Sequence, residues 1–330
     1  MKKYIINIVS SRFKNDPIGG GASAKAPADI LALAKNAGYV EIDVYTYISY
    51  GKVRQLLNLL WQFLKLSGTL EKDSIVFFQY PHINPRIMPI VMPLFKKYRK
   101  AAIIHDMNSI RVDGNLSNTE KKALNYFDEL YVHSDNMRGY LKTKLKQDIV
   151  YHVIECFPYM AAPNLEKRSL SNQVVFAGNL DKSYFLLDFV KSNKNLDLLL
   201  YGIMKDSSKL SGKANYMGKF QPDEIQNIKG SWGLVWDGER TDCCGGSYGE
   251  YLKIIAPHKF SMYLAAELPV IVWKESAMAK LVEKYQLGIT IGSLSEISDK
   301  IETIDENIYQ SFLDNIRSYL NNNMNVVFSL

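Results

Sequence analysis

Strand-like and helix-like segments alternate along almost the whole 330-residue chain, and this alternation constrains the fold more than any other feature. In the first half, the candidate strands are short, and the first of them is apolar and rich in β-branched residues, as expected of a strand that is buried on both faces. These strands are Tyr4–Val9, Glu41–Tyr45, Ser74–Gln79, Ala101–His105 and Glu129–Val132. The helical patterns between them include Ala26–Ala37, Val53–Leu66 and Ile87–Tyr98. This order predicts a parallel sheet with helices on both of its faces.

The alternation stops at Cys156 and resumes after about Ser171. The intervening stretch lacks periodicity and contains Pro158 and Pro163, so we interpret it as a linker between two domains. The strands predicted beyond the linker are Gln173–Ala177, Leu196–Tyr201, Trp232–Trp236, Pro269–Trp273 and Gly288–Ile291. A helix is predicted for Asp223–Ile228, and the glycine-rich stretch at 245–249 is predicted as a flexible loop. The sequence therefore predicts two doubly wound α/β domains, which bind ligands at the carboxyl ends of their strands.

Composition excludes several classes of protein. Hydrophobic residues make up 47% of the chain, which is enough to form cores and excludes general disorder. The net charge of +6 fits an anionic ligand but is too small to indicate nucleic acid. Three cysteines exclude a disulfide scaffold and fit a reducing cytoplasm. The longest apolar runs are too short for a membrane span, and the N-terminal run, interrupted by Asn7, does not predict an export signal.

A glycine-rich loop joins the first predicted strand to the first predicted helix. It contains Gly19, Gly20 and Gly21, followed by Ser23. Backbone amides in such a loop can approach a phosphate or a sugar, and the following helix N-terminus favours negative charge. The run does not match the dinucleotide-binding pattern, and a loop without a binding role is the alternative.

Polar residues follow two of the apolar strands. His105 and Asp106 end the fourth predicted strand, where either could contact a sugar or act as a general base. A cap on the following turn is the alternative role for Asp106. Gly178 follows the strand at 173–177 and permits close backbone approach, and Lys182 could pair with a phosphate. An ordinary strand-to-helix turn would explain these two residues equally well.

The most informative segment is 256–271. Pro257 fits the first turn of a helix, which puts Lys259 near the helix N-terminus, where its positive charge opposes the helix dipole. An anionic ligand would remove this conflict, and a solvated lysine is the alternative. The chain has no Asp-x-Asp motif and no His or Cys group with metal-ligand spacing, so we expect no bound metal.

Several of these motifs resemble a known family. Gly233–Asp237, Pro257–Ala266 and Leu268–Val272 are similar to the donor half of GT-B glycosyltransferases. With Phe176–Asn179 and Ile104–Asp106, the chain resembles bacterial glucosyltransferases that extend O-linked N-acetylglucosamine on serine-rich repeat adhesins. Bacterial galactofuranosyltransferases show a similar degree of resemblance. The resemblance implies the GT-B fold, in which two doubly wound Rossmann-like domains face a central cleft.

The resemblance also implies a domain plan and an activity. It implies an acceptor-side domain at 1–155, a donor-nucleotide domain at 156–305 and a C-terminal helix, 306–330, that returns to the N-terminal domain. The implied enzyme is a cytoplasmic hexosyltransferase that moves a sugar, with glucose as our first expectation, from a UDP-sugar to a glycan or glycopeptide acceptor. The alternatives are a galactofuranosyltransferase of surface polysaccharide synthesis and a non-catalytic sugar-nucleotide-binding partner of another transferase.

By position, the resemblance assigns roles to single residues. The implied donor-binding residues are Gly178, Asn179, Lys182, Tyr216, His258 and Lys259, with Lys259 on the diphosphate and Tyr216 near the base or ribose. His105 and Asp106, as candidate catalytic residues, and the Gly19–Ser23 loop would line the acceptor and sugar side. The donor sugar, the acceptor, the anomeric outcome and the general base stay open.

The resemblance finally implies partners. These are a UDP-sugar donor and a glycan or glycoprotein acceptor, with no nucleic acid, no metal cofactor and no integral membrane span. It also implies a homo-oligomer, with a tetramer as one form. Amphipathic Val53–Leu66 is a candidate contact surface, and plain core packing is the alternative for that helix.

Overall fold

The computed structural model describes residues 2–10, 22–47, 49–162, 167–193, 195–210, 214–323 and 328, and of residues 22, 23 and 209 only the backbone. The chain divides into two compact units. The first unit is Met1–Ile154 together with Asn325–Leu330, and the second is Glu155–Met324. No helix in the described ranges is both long enough and apolar enough to cross a membrane.

The first unit contains one parallel sheet. Its strands are β1 (Lys3–Ser10), β2 (Val40–Thr46), β3 (Ile75–Tyr80), β4 (Arg99–Ile104), β5 (Glu129–Val132) and β6 (Val150–Val153). Its helices are α1 (Ala22–Asn36), α2 (Lys52–Thr69), α3 (Met88–Val91), α4 (Asn108–Asp113), α5 (Asn118–Leu124) and α6 (Asp135–Lys142). The strand order is β2-β1-β3-β4-β5-β6, so the direction of winding reverses between β1 and β3.

The second unit repeats this architecture with a different order. Its strands are β7 (Gln173–Asn179), β8 (Asp197–Ile203), β9 (Ala214–Gly218), β10 (Trp232–Val235), β11 (Val270–Trp273) and β12 (Gly288–Ile291). Its helices are α7 (Phe185–Ser192), α8 (Gly246–Leu252), α9 (His258–Ala265), α10 (Ala279–Tyr285), α11 (Ile297–Glu302) and α12 (Glu306–Asn323). The order β12-β11-β10-β7-β8-β9 is that of a Rossmann fold, with the winding reversed between β7 and β10.

The core of the second unit lies in two layers, one on each face of its sheet. Along β7, Val174 and Phe176 belong to one layer, whereas Val175 and Ala177 belong to the other. This alternation follows from the two-residue period of a strand. Because both faces are covered, the middle residues of each central strand must be apolar, which is the pattern that the sequence shows.

All ten strands predicted from the sequence are present, and β6 and β9 are additional. Both additional strands lie at the edge of a sheet. An edge strand has one neighbour and is partly exposed, so it needs no continuous apolar run. Residues of β9 such as Asn215 and Tyr216 are exposed, and β6 contains His152, so neither segment has the apolar signature of a buried strand.

Three local predictions were wrong. Ile87–Tyr98 is not one helix but the short α3 and a tight turn at Met92–Phe95, because Pro89 and Pro93 lack the amide hydrogen that a continuous helix requires. The helix predicted for Asp223–Ile228 is only a single turn at Ile225–Asn227. The glycine-rich stretch at 245–249, predicted as a flexible loop, contains the beginning of α8.

The last helix belongs to the second unit. The hydroxyl of Tyr309 donates to the Ser231 carbonyl at 2.8 Å, and its ring lies 5.3 Å from that of Trp232. In the first unit, the ring of Phe328 packs against Tyr39 and Phe77, at 5.0 and 5.3 Å. The apolar face of α12 is buried in the second core, so this helix groups with the second unit, and the domain plan implied by the resemblance stays a prediction.

His133 offers a test of the first core. It is 1% exposed, and its Nε2–H donates to the Ile104 carbonyl at 2.6 Å. Burial lowers its pKa from 6.5 to about 4. The unfolded chain therefore binds a proton at pH 5 that the folded chain excludes, so the free energy of unfolding should fall by about 2 kcal/mol between pH 7.5 and 5 on account of this group.

In His133→Gln, this part of the acid-induced loss should disappear. Urea denaturation of both proteins at the two pH values measures the difference. Parallel losses in the parent and the variant would show that His133 is not the group responsible.

Candidate active site

The main candidate site lies where β7 and β10 separate, at the carboxyl edge of the second sheet. The ammonium of Lys259 lies 4.6 Å from the centre of the Phe176 ring and donates to the Trp236 carbonyl at 3.3 Å. A Cβ atom built on Gly178 would lie 4.0 Å from the same nitrogen. Ligands of doubly wound folds bind at this reversal of strand order, so the fold brings a lysine to the expected crevice.

The packing of α9 explains how Lys259 reaches this edge. Gly233 of β10 lies directly under the ring of Tyr263, and a Cβ atom there would come within 2.4 Å of the ring. The Tyr263 hydroxyl accepts a hydrogen bond from the Ala177 amide at 2.8 Å. Lys259 lies one turn earlier on the same face of the helix. The contact between Tyr263 and the sheet therefore directs the lysine towards the strand ends.

The charge of Lys259 is poorly compensated. Within the described part of the chain, no carboxylate oxygen lies within 4.0 Å of its Nζ, and the first turn of α9 contains no acidic residue. Burial raises the pKa of the neighbouring Cys244, so its thiol stays neutral and supplies no anion. The half-buried lysine and the positive end of the α9 dipole both attract an anion, and a diphosphate meets both requirements.

Two glycines make the adjacent strand ends flat. Gly178 and Gly202 are paired in register on β7 and β8, and a Cβ atom on Gly202 would come within 1.7 Å of the Gly178 carbonyl oxygen. Gly202 has a φ of 132°, which disfavours other residues. The hydroxyl of Tyr216, whose side chain is 37% exposed, donates to the Gly202 carbonyl at 2.9 Å. A planar base or a ribose can pack on such a surface.

The other predicted donor-binding residues are less closely connected to Lys259. Asn179 is exposed, and its carbonyl accepts from the Ser183 hydroxyl at 3.0 Å. Lys182 is exposed in the turn after Asn179. The His258 ring lies 4.9 Å from that of Tyr159. The roles assigned to these three residues stay predictions.

Sequence reasoning did not assign a role to Phe176, Gly202 or the Trp236 carbonyl. Gly202 directly follows a predicted strand, at the place where Gly178 follows its own, and this repeated position was a usable signal. The contacts of Phe176 and Trp236 depend on the packing of α9, which no local pattern reveals.

A second polar group lies at the carboxyl ends of β3 and β4 in the first unit. His105 Nε2 is 2.9 Å from Gln79 Oε1, and the His105 ring stacks parallel to that of His82 with centres 5.4 Å apart. Burial lowers the pKa of His82 to about 4, so this imidazole is neutral at physiological pH. His82 was missed from sequence, although it comes two residues after a strand, directly behind Pro81.

Asp106 is held by its own neighbours. One carboxylate oxygen accepts from the Met107 amide at 2.8 Å, and the other pairs with Arg111 at 2.7 Å. Both carboxylate oxygens therefore have partners, and the catalytic role of Asp106 stays a prediction. Gly19, Gly20 and Gly21 lie outside the described residues, and of Ser23 only the backbone, in α1, is described.

Among the residues that the structure describes, no group of three or more His, Cys, Asp or Glu side chains is arranged to hold a metal ion. Metal-independent chemistry stays a prediction.

Solved structures identify the fold. The chain superimposes on the α,α-trehalose 6-phosphate synthase from Burkholderia multivorans with a TM-score of 0.60 at 10% identity, covering 99% of this chain and 94% of that one. For WaaG, a glycosyltransferase involved in lipopolysaccharide biosynthesis, the TM-score is 0.54 at 10% identity. The match covers 99% of this chain and 97% of WaaG. The two Rossmann-like domains therefore form the GT-B fold of glycosyltransferases.

Sequence comparisons identify the family. The N-terminal and C-terminal domain models of "Glucosyltransferase 3-like" proteins match residues 2–154 and 174–329. The chain belongs to this family and is a glycosyltransferase. It is 28% identical over 304 residues to the β-1,6-galactofuranosyltransferase WbbI of Escherichia coli K12, covering 90% of this chain and 88% of the relative. It is 25% identical over 313 residues to Glucosyltransferase 3 of Streptococcus gordonii, covering 91% of this chain and 90% of the relative.

If Lys259 serves a ligand and not the fold, its loss should leave stability unchanged. We expect Lys259→Met to alter the free energy of unfolding by less than about 0.5 kcal/mol. Lys100 is the matched control, because its buried ammonium donates to the Tyr98 carbonyl and to Asp128, both at 2.9 Å. Lys100→Met should destabilise the protein by about 1–3 kcal/mol, since the Tyr98 carbonyl and the Asp128 carboxylate lose their hydrogen-bond donor. Urea denaturation measures both, and an equal loss in the two variants would contradict a ligand-binding role for Lys259.

Proposed function

We propose that this glycosyltransferase uses a UDP-sugar donor and binds the nucleotide at the carboxyl edge of its second sheet. The observation that carries the proposal is the uncompensated ammonium of Lys259 at the strand-order reversal between β7 and β10. Gly178, Gly202 and Tyr216 form the adjoining flat surface, which suits the nucleoside.

In the transfer reaction, the bond between the anomeric carbon and the diphosphate oxygen breaks, and an acceptor hydroxyl oxygen bonds to that carbon. The acceptor hydroxyl loses its proton to a base, and UDP departs with the electron pair of the broken bond. Negative charge therefore grows on the diphosphate as the bond breaks. Lys259 stabilises this charge, and its ammonium is already positioned before the reaction begins, so no reorganisation is needed.

The acceptor side of the proposal rests on the first unit. His105 is the stronger candidate for the base, because its imidazole is oriented by Gln79 and by stacking on His82. Asp106 is already ion-paired with Arg111, which favours a positioning role for its carboxylate. The Gly19–Ser23 loop keeps its proposed place on the same side.

The family description favours glucose as the transferred sugar, with a glycan or a glycopeptide such as O-linked N-acetylglucosamine on a serine-rich adhesin as acceptor. Galactofuranose is the second candidate, supported by the 28% identity to WbbI against 25% for the streptococcal glucosyltransferase. A cytoplasmic, homo-oligomeric enzyme remains part of the proposal. The unpaired state of Cys156, Cys243 and Cys244 is in keeping with a reducing compartment.

Binding of UDP tests the donor site directly. Lys259→Ala should weaken UDP binding by about 1.5–3 kcal/mol, because a hydrogen bond to a charged group is lost. Lys284→Ala is the control, since Lys284 is an exposed lysine of the same unit that pairs with Glu155 at 3.7 Å. Isothermal titration calorimetry gives both dissociation constants. An unchanged constant for Lys259→Ala would refute the assignment.

The donor sugar is tested by comparing UDP-glucose with UDP-galactofuranose. We expect hydrolysis of UDP-glucose without acceptor, and transfer when a glycan bearing N-acetylglucosamine is supplied, with the products detected by mass spectrometry. If UDP-galactofuranose is turned over and UDP-glucose is not, the transferred sugar is galactofuranose and not glucose. UDP binding without turnover of either donor would instead support a non-catalytic partner of another transferase.

A further inference from the structure

Helix α2 carries an exposed apolar stripe. Val53, Leu57, Trp61 and Leu64 are 73%, 61%, 62% and 59% exposed. Their spacing of three or four residues places them on one face of the helix. The opposite face, with Leu59 and Phe63, is buried in the first unit. Core packing therefore accounts for one side of α2 and leaves the other uncovered.

The charges along α2 are all positive. Lys52, Arg54 and Lys65 are exposed, and residues 52–69 contain no Asp or Glu. Within the described residues, no carboxylate oxygen lies within 4.0 Å of any of the three cations. Arg54 and Lys65 instead lie over aromatic rings, those of Tyr50 and Trp61, at 4.1 and 5.5 Å. Viewed along the helix axis, Arg54 and Lys65 lie next to Trp61 on the side away from Val53. They therefore border the apolar stripe along one side.

Aromatic side chains extend the stripe at the beginning of the helix. The rings of Tyr47 and Tyr50 lie 4.9 Å apart, and Tyr47 is 38% exposed. The neighbouring acid on β2, Asp43, already accepts hydrogen bonds from Asn7 and from the Tyr45 hydroxyl. Exposed Trp and Tyr beside unpaired cations and an apolar stripe are the features of a helix that lies in a lipid interface.

We propose that this surface, the α2 stripe with its flanking cations, binds the protein to an anionic lipid membrane. The apolar side chains enter the boundary between headgroups and acyl chains, and Arg54 and Lys65 pair with lipid phosphates. A second copy of the chain is the competing occupant. An antiparallel pairing of two α2 helices brings Arg54 of one copy towards Lys65 of the other, with no acidic residue on either helix to separate them. The charge pattern therefore favours the lipid surface.

Co-sedimentation with phosphatidylcholine vesicles, with and without phosphatidylglycerol, tests the proposal on the full chain. We expect binding to the vesicles that contain phosphatidylglycerol, weakened by salt, and little binding to phosphatidylcholine alone. Arg54→Glu combined with Lys65→Glu should weaken binding at least about tenfold, since each basic residue near such a surface contributes about fivefold. Equal binding to both vesicle types would overturn the proposal.

The apolar part is tested by Leu57→Ser combined with Leu64→Ser, which should abolish sedimentation. The control is Val150→Ser combined with Ile308→Ser, because these residues are also exposed, at 47% and 39%, and Val150 is on the opposite edge strand. Circular dichroism melting checks that both double variants fold. If either fails to fold, the charge-reversal variant alone decides the outcome.

Trp61 gives a site-specific signal. The other three tryptophans, Trp232, Trp236 and Trp273, are 0%, 0% and 3% exposed, so an added quencher acts mainly on Trp61. We expect a blue shift of the emission and protection from acrylamide when vesicles containing phosphatidylglycerol are added. Light scattering after size exclusion measures the oligomeric state and so tests the competing occupant, a second copy of the chain. A dimer that Leu57→Ser with Leu64→Ser dissociates, in a protein that does not bind vesicles, would show that a second copy covers the stripe.

Discussion

The contact of Tyr263 with Gly233 determines the geometry of the proposed donor site. The missing side chain at Gly233 lets the tyrosine ring lie against β10, and the hydroxyl then reaches the Ala177 amide on β7. One side chain thus fixes α9 on both strands that border the reversal of strand order. Lys259 is one helical turn away, so its position over Phe176 follows from this packing. Any larger residue at 233 would displace the helix and move the ammonium with it.

The same reasoning shows what the sequence could and could not predict. Buried parallel strands need apolar runs, so the central strands and the α/β class were predictable, whereas two of the four edge strands, β6 and β9, were not. The place of Lys259 in the first turn of a helix was predictable from Pro257. Its partners were not, since Phe176 and Trp236 are distant in sequence and meet it only through tertiary packing.

The two units use the carboxyl edges of their sheets differently. In the second unit, the edge is made of glycines and a lysine, so backbone and positive charge are presented. In the first unit, the corresponding strand ends carry His82, His105 and Asp106, which can exchange protons and accept hydrogen bonds. Proton transfer and stabilisation of the leaving group are the two chemical requirements of glycosyl transfer. The proposed function assigns the first requirement to residues of the first unit and the second to residues of the second unit.

Among the described residues, no carboxylate lies beside the ammonium of Lys259, and this has an energetic meaning. A carboxylate near Nζ would stabilise the empty protein, but it would also repel a diphosphate and would have to be displaced by it. The chain instead leaves a half-buried ammonium with one carbonyl and one ring as partners, an arrangement that contributes little to folding. Its electrostatic attraction then remains available for the ligand. Because a ligand that binds only the folded state stabilises that state, the proposed diphosphate would raise the free energy of unfolding.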